Sequence, residues 1–312
     1  MKRRTIWNQE LIAVLLISLF ISYGYASAPR YSGHEYSDEP PKSSTVYESL
    51  KYYSEILGRD VSYSVYLPKD YDGGTMNFPV LYLLHGYSDD ETGWIQYGQV
   101  QRIADREIDK ERAAQMIIVM PDAGVTWYVN SADGKAAYED FVIQELIPHI
   151  DADFRTRKDR QFRAVAGLSM GGYGALMFGL RHPDVFGSSG VLSAGVFTDE
   201  EVLEMEQNRW NNLMGQPFGK DLSGASRLQG NYARYAPQKM IDSYQEQDQS
   251  TKFYIDCGDD DFLILGNLAL HAQMIKANIE HEFRVRDGSH SWSYWRSALP
   301  EVLSFISDVF HR

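Results

Sequence analysis

The chain of 312 residues is 44% hydrophobic and 13% aromatic, enough apolar side chain for the core of one large domain or two small ones and far from the make-up of a disordered chain. Its 43 acidic against 30 basic residues leave a formal charge of -13, so a polyanion is repelled and nucleic acid is excluded as a partner. A single cysteine, Cys257, excludes an intramolecular disulfide and any cysteine-rich metal site.

The first residues read "MKRRTIWNQELIAVLLISLFISYGYASAPR". Lys2, Arg3 and Arg4, an apolar run over 11–25 and Ala26-Ser27-Ala28 as a cleavage site predict a secretory signal peptide over 1–28. The apolar run is short for a bilayer span, which needs about 20 residues; an uncleaved anchor, with Glu10 abutting the run, is the alternative. The predicted location is secreted or periplasmic, with no membrane span once the signal is removed. Residues 29–44, "PRYSGHEYSDEPPKSS", are polar and hold Pro29, Pro40 and Pro41, which predicts a flexible leader. The folded domain is expected over 45–312.

Within it, strand-like runs fall at 61–68, 78–86, 115–122, 161–167, 185–194, 252–258 and 281–288. Several are continuously apolar rather than alternating, as strands covered on both faces are. Helical periodicity over 95–110, 136–150, 171–181, 263–278 and 295–309 separates them. The alternation predicts an α/β fold with a mostly parallel sheet and helices on both faces. Residues 196–249, carrying Trp210, Phe218, Tyr232 and Tyr235, interrupt it and are expected to form a lid insertion. Cys257 sits in the apolar "FYIDCG" and reads as a small buried hydrophobe.

In "VAGLSMGGYGAL", Gly167-Leu168-Ser169-Met170-Gly171 fits G-x-S-x-G between a strand and a helix. That context marks a nucleophile elbow, whose tight turn admits only small neighbours. A serine hydroxyl needs a base. His182 ends the elbow helix, His271 falls mid-helix, His281 opens a strand and His311 lies in the tail; His290, in the loop "DGSHSW", is the candidate able to reach the sheet edge. The acid that orients it should end the preceding strand. Asp259, Asp260 and Asp261 stand there, and Asp261, before the apolar "FLIL", is preferred, with Asp260 second. Backbone N–H groups of Met170, after the serine, and Tyr87, in "LLHGYSDD", are the expected oxyanion donors. His85 is expected to hold that loop through hydrogen bonds.

With "YSVYLPKDYD", "LLHGYSDDETGW", "VMPDAG", "AGLSMGGYGAL", "LRHPDVFG", "CGDDDFL" and "DGSHSWSYW" in hand, residues 47–310 resemble the esterase family of α/β-hydrolases. That family includes S-formylglutathione hydrolase, the carbohydrate esterase family 1 feruloyl and acetylxylan esterases, enterochelin esterases and mycolyltransferases. The resemblance implies the α/β-hydrolase fold and a serine esterase with Ser169 as nucleophile, Asp261 as acid, His290 as base and Tyr87 and Met170 as oxyanion donors, needing no metal or cofactor. Export favours esters met outside the cell. Trp94, Trp127, Tyr128, Trp210 and Trp292 are candidate substrate contacts, with core packing as the alternative for each. The leading expectation is a feruloyl esterase whose substrate is a small ester or an esterified polysaccharide. Acetylxylan or other short-acyl esterase, S-formylglutathione hydrolase and mycolyl-type acyltransferase are alternatives, and a non-enzymatic binding module is more distant.

Overall fold

The strand-like runs all become strands of a sheet that has eight strands among the described residues. The computed structural model describes residues 44–72, 74–244 and 250–311. The expected signal peptide, all but the last residue of the leader, and residues 245–249 of the insertion lie outside the described residues. The strands are β1 (Thr45–Ser54), β2 (Arg59–Leu67), β3 (Val80–Leu84), β4 (Ile117–Pro121), β5 (Arg163–Leu168), β6 (Ser188–Leu192), β7 (Lys252–Gly258) and β8 (His281–Arg286). Their spatial order is β1-β2-β4-β3-β5-β6-β7-β8. β1 and β2 pair antiparallel, as do β2 and β4, and every other pair is parallel.

Every residue of β3, β4, β5 and β6 is buried, which requires helices on both faces. Adjacent residues of β6 show the two sides directly. Ser189 donates its hydroxyl to Ala175 O of the elbow helix, Met170–Arg181, while a side chain on Gly190 would strike Val302 of the C-terminal helix, Trp292–Phe310. β1 is the strand that the sequence reading lacks. It is an edge strand with half its side chains in water, bent by a bulge between Tyr47 and Leu50 where Ser49 takes φ 54°, so no apolar run betrays it.

Residues 196–244 fold into short helices, Asp199–Glu204, Gln207–Leu213, Gly215–Phe218, Gly230–Tyr235 and Pro237–Ser243. Trp210, Phe218, Tyr232 and Tyr235 are buried among them. This small aromatic core seats on the elbow helix, where the Tyr173 hydroxyl donates to Tyr235 O at 2.8 Å. No helix among the described residues is long and apolar enough to cross a membrane.

Candidate active site

The turn from β5 into the elbow helix is held open by strain. Ser169 adopts φ 56°, ψ -117°, a region that side-chain-bearing residues rarely enter. Its N–H donates to Leu192 O at 2.9 Å, and its carbonyl accepts from Gly195 N at 2.8 Å and Tyr173 N at 3.0 Å. A Cβ on Gly167 would lie 2.4 Å from Gly171 O, and one on Gly171 2.4 Å from Leu84 O. The glycines are therefore dictated by close backbone approach on both sides of the serine.

The fold brings Ser169, His290 and Asp261 into one line. His290 Nε2 stands 3.0 Å from Ser169 Oγ, and Nδ1 stands 3.0 and 2.9 Å from the two Asp261 oxygens. The carboxylate only accepts, so Nδ1 carries the proton and Nε2 offers its lone pair to the serine hydroxyl. Asp261 is buried, which pushes its carboxyl pKa up. Hydrogen bonds from His290, Leu263 N–H and Ser193 outweigh that and hold it below the ordinary value. Asp260 is exposed and touches the His290 loop through its backbone, donating N–H to Gly288 O at 3.0 Å. The imidazole is wedged between the rings of Phe262 and Trp295, at 4.6 and 4.8 Å between centroids.

Met170 is the first residue of the elbow helix, so its N–H has no partner within the helix. Tyr87 follows β3 across the cavity, and both line it together with Ser169. Behind Tyr87, buried His85 is pinned from both nitrogens: Nδ1–H donates to Gly86 O at 2.7 Å and Nε2 accepts from Ala123 N–H at 2.9 Å. Burial lowers its pKa and keeps the ring neutral. The cavity measures about 620 Å³, and Trp127, Phe197, Leu213, Phe262 and Trp292 form its apolar walls.

A family model described as "Putative esterase" matches residues 54–306. The chain belongs to this family. It is with that an α/β-hydrolase and a serine hydrolase of carboxylic esters. A solved ferulic acid esterase is 32% identical, with a TM-score of 0.72 over 86% of this chain and 100% of that one. A fluorophosphonate-binding serine hydrolase of Staphylococcus aureus is 28% identical, with a TM-score of 0.72 over 85% and 99%. An endo-1,4-beta-xylanase/feruloyl esterase of Xylanibacter ruminicola is 37% identical over 164 residues, 50% of this chain. That match spans only 23% of the Xylanibacter protein's length.

Three aromatics expected at the substrate lie elsewhere in this esterase. Trp94 is buried and donates its indole N–H to Leu84 O at 2.9 Å. Tyr128 is buried and donates to His85 O at 3.0 Å. Both brace the end of β3, just before the turn that carries Tyr87. Trp210 belongs to the insertion's core, with its N–H on Gly219 O at 2.9 Å. Their polar edges need partners once buried, and backbone carbonyls supply them. Trp127 and Trp292 do face the cavity.

The sequence reading also missed a buried set behind the esterase's histidine loop. Asp256, inside β7, accepts from the hydroxyls of Tyr254, at 3.0 Å, and Tyr294, and forms an ion pair with Arg286 at 2.9 Å. Ser193, at φ 43°, donates its N–H to Asp256 O at 2.8 Å and accepts the Trp295 indole N–H on its hydroxyl at 3.1 Å. The one available signal was a charged residue within an apolar strand, which demands a partner. Cys257 beside it is fully buried, and burial pushes its thiol up to about 12, so the thiolate needed for reactivity is absent at neutral pH.

Proposed function

We propose that the protein is an exported feruloyl esterase acting on hydroxycinnamate esters of plant cell-wall polysaccharide. The observation that carries this reading is the hydrogen-bonded line Ser169–His290–Asp261 opening into a cavity whose apolar walls include Trp127, Phe197, Phe262 and Trp292. Flat rings stack on a phenolic acyl group. The names of the ferulic acid esterase and of the Xylanibacter protein support it, and the export pattern of residues 1–28 supports action outside the cell.

In the proposed mechanism His290 Nε2 takes the Ser169 proton as Oγ attacks the ester carbonyl. The tetrahedral oxyanion is received by the N–H groups of Met170 and Tyr87. Collapse breaks the carbonyl–alkoxy bond, and the imidazolium protonates the departing alcohol. Water, deprotonated by the same histidine, then attacks the acyl-serine and releases the acid. Asp261 stays ionised throughout, fixing the tautomer and stabilising the imidazolium. Residues 196–244 wall one side of the cavity through Phe197, Arg209, Asn212 and Leu213, and the insertion is read as the lid of this site.

A panel of methyl hydroxycinnamates, acetylated xylan and short-acyl aryl esters tests the substrate class. Preferred turnover of methyl ferulate is expected, and turnover confined to acetyl esters rejects the reading. A fluorophosphonate probe should label the wild type and leave Ser169→Ala unlabelled; equal labelling removes Ser169 as nucleophile.

A further inference from the structure

A second cavity of about 680 Å³ opens beside the first and shares Phe197, Arg209 and Phe262 with it. Its remaining wall is Glu201, Met205 and the exposed Glu204 and Glu206 of the insertion. We infer that this second cavity is a subsite for a neutral glycan, holding the sugar residues that continue from the alcohol side of the scissile ester. The inference rests on the polysaccharide-esterase reading above.

Direction comes from the histidine. The alcohol oxygen must leave next to His290 Nε2, because that nitrogen returns the proton. The Phe262 ring packs on the His290 imidazole, 4.6 Å between centroids, yet remains 60% exposed. Phe262 lines both cavities, so a chain attached to the departing oxygen passes along its face into the second one.

Chemistry of the wall names the ligand class. A sugar ring presents apolar C–H faces and hydroxyls that each donate and accept. Phe197, Met205 and Phe262 supply the apolar surface. Glu204 and Glu206 supply acceptors without donors, Glu201, whose Oε2 is held by the N–H and hydroxyl of Thr198, adds a third negative charge, and Arg209 supplies donors without acceptors. Among the described residues Arg209 makes no ion pair within the protein, so its donors are available to a ligand. The three carboxylates outnumber the one guanidinium, so the lining repels a uronate or phosphate while accepting an uncharged pentose or hexose chain.

Two esters of the same acid test this: methyl ferulate and a feruloylated arabinoxylo-oligosaccharide, each with wild type and with the double variant E204Q/E206Q. The expected result is a loss of about tenfold in kcat/KM on the oligosaccharide ester, carried by KM, with methyl ferulate within twofold. Equal changes on both esters, or no change on either, overturn the subsite. In wild type an oligosaccharide ester bearing a glucuronate near the ester should react more slowly than its neutral counterpart at low salt, with the gap closing at high salt. A preference for the charged substrate overturns the neutral-glycan assignment. If neither ferulate ester turns over, the acyl reading has failed while the subsite is still testable: 4-nitrophenyl acetate and an acetylated xylo-oligosaccharide then form the pair, with the same outcomes deciding.

Discussion

The indole N–H of Trp295 reaches the hydroxyl of Ser193 at 3.1 Å, and that same hydroxyl helps to hold the Asp261 carboxyl below its ordinary pKa. One buried serine thus bears on the Asp261 charge and, through Trp295, whose ring stands edge-on to it, on His290. Its φ of 43° is a strained value for a serine. Strain maintained at the junction of β6, the acid and the histidine loop argues for a positioning role.

Ser193→Ala should lower kcat about 10- to 100-fold with KM within about twofold, since it loosens alignment rather than substrate contact. A fall in melting temperature with kcat unmoved would leave Ser193 a packing residue only.

Trp127 and Trp210 separate two roles that look alike in sequence. Trp210 is fully buried in the insertion, with Arg227 over its ring, and Trp210→Ala should cost about 3–5 kcal/mol of stability. Trp127 faces the cavity and ties the insertion to the early loops by donating to Leu213 O at 2.8 Å. Trp127→Phe should raise KM for an aromatic acyl ester severalfold and, through the lost bond to Leu213 O from this buried ring, cost about 1–2 kcal/mol, less than Trp210→Ala. Thermal melts and steady-state kinetics on both variants read this directly, and a reversed pattern would reassign the two residues.

That contrast marks how far the sequence carries. The central strands were legible because burial on both faces forces unbroken apolar runs, and β1 was not, because an edge strand needs none. The meeting of Ser169, Asp261 and His290 in space is legible because each follows a strand end in a fixed chain order. Trp94, Tyr128 and Trp210 were not, because a large ring with one polar edge suits a core and a binding wall equally well. Choosing between them requires knowing which carbonyl lies within reach. The Ser193–Asp256 set joins four separate segments, so no local spacing announces it.

His85 carries a prediction about the oxyanion loop. Its neutral ring needs Nδ1 as donor and Nε2 as acceptor, and both are used to fix Gly86 and Ala123. His85→Ala should reduce kcat by about 10- to 100-fold, short of losing an oxyanion donor outright, which costs about 100- to 1,000-fold. Because burial lowers the folded pKa, the unfolded chain binds the proton more readily, so this residue's stabilisation is present above pH 6.5 and declines as pH falls below it. An unchanged kcat would show that the Tyr87 turn holds its shape without the imidazole.

Acid should act most sharply through Glu139. Its carboxylate is buried and accepts from Arg181 Nε at 2.7 Å, His182 Nε2 at 2.8 Å and the Tyr235 hydroxyl at 2.6 Å. Burial alone would raise its pKa, but the hydrogen bonds from His182, Arg181 and Tyr235 win and bring it to about 2. A folded pKa below the ordinary 4.5 means that the stabilisation is complete above pH 4.5 and is lost as pH falls from there toward 2. Tyr235 belongs to the insertion and Arg181 to the end of the elbow helix, so protonation weakens one of the ties between the insertion and the serine-bearing helix, while the Tyr173 hydroxyl still holds Tyr235 O. Glu139→Gln should therefore cost about 3 kcal/mol at neutral pH, because it leaves Arg181 without its buried partner, and should flatten the loss of stability between pH 4.5 and 2. Denaturant titrations of both proteins across that range measure it; parallel pH curves would mean that another carboxylate sets the acid limit.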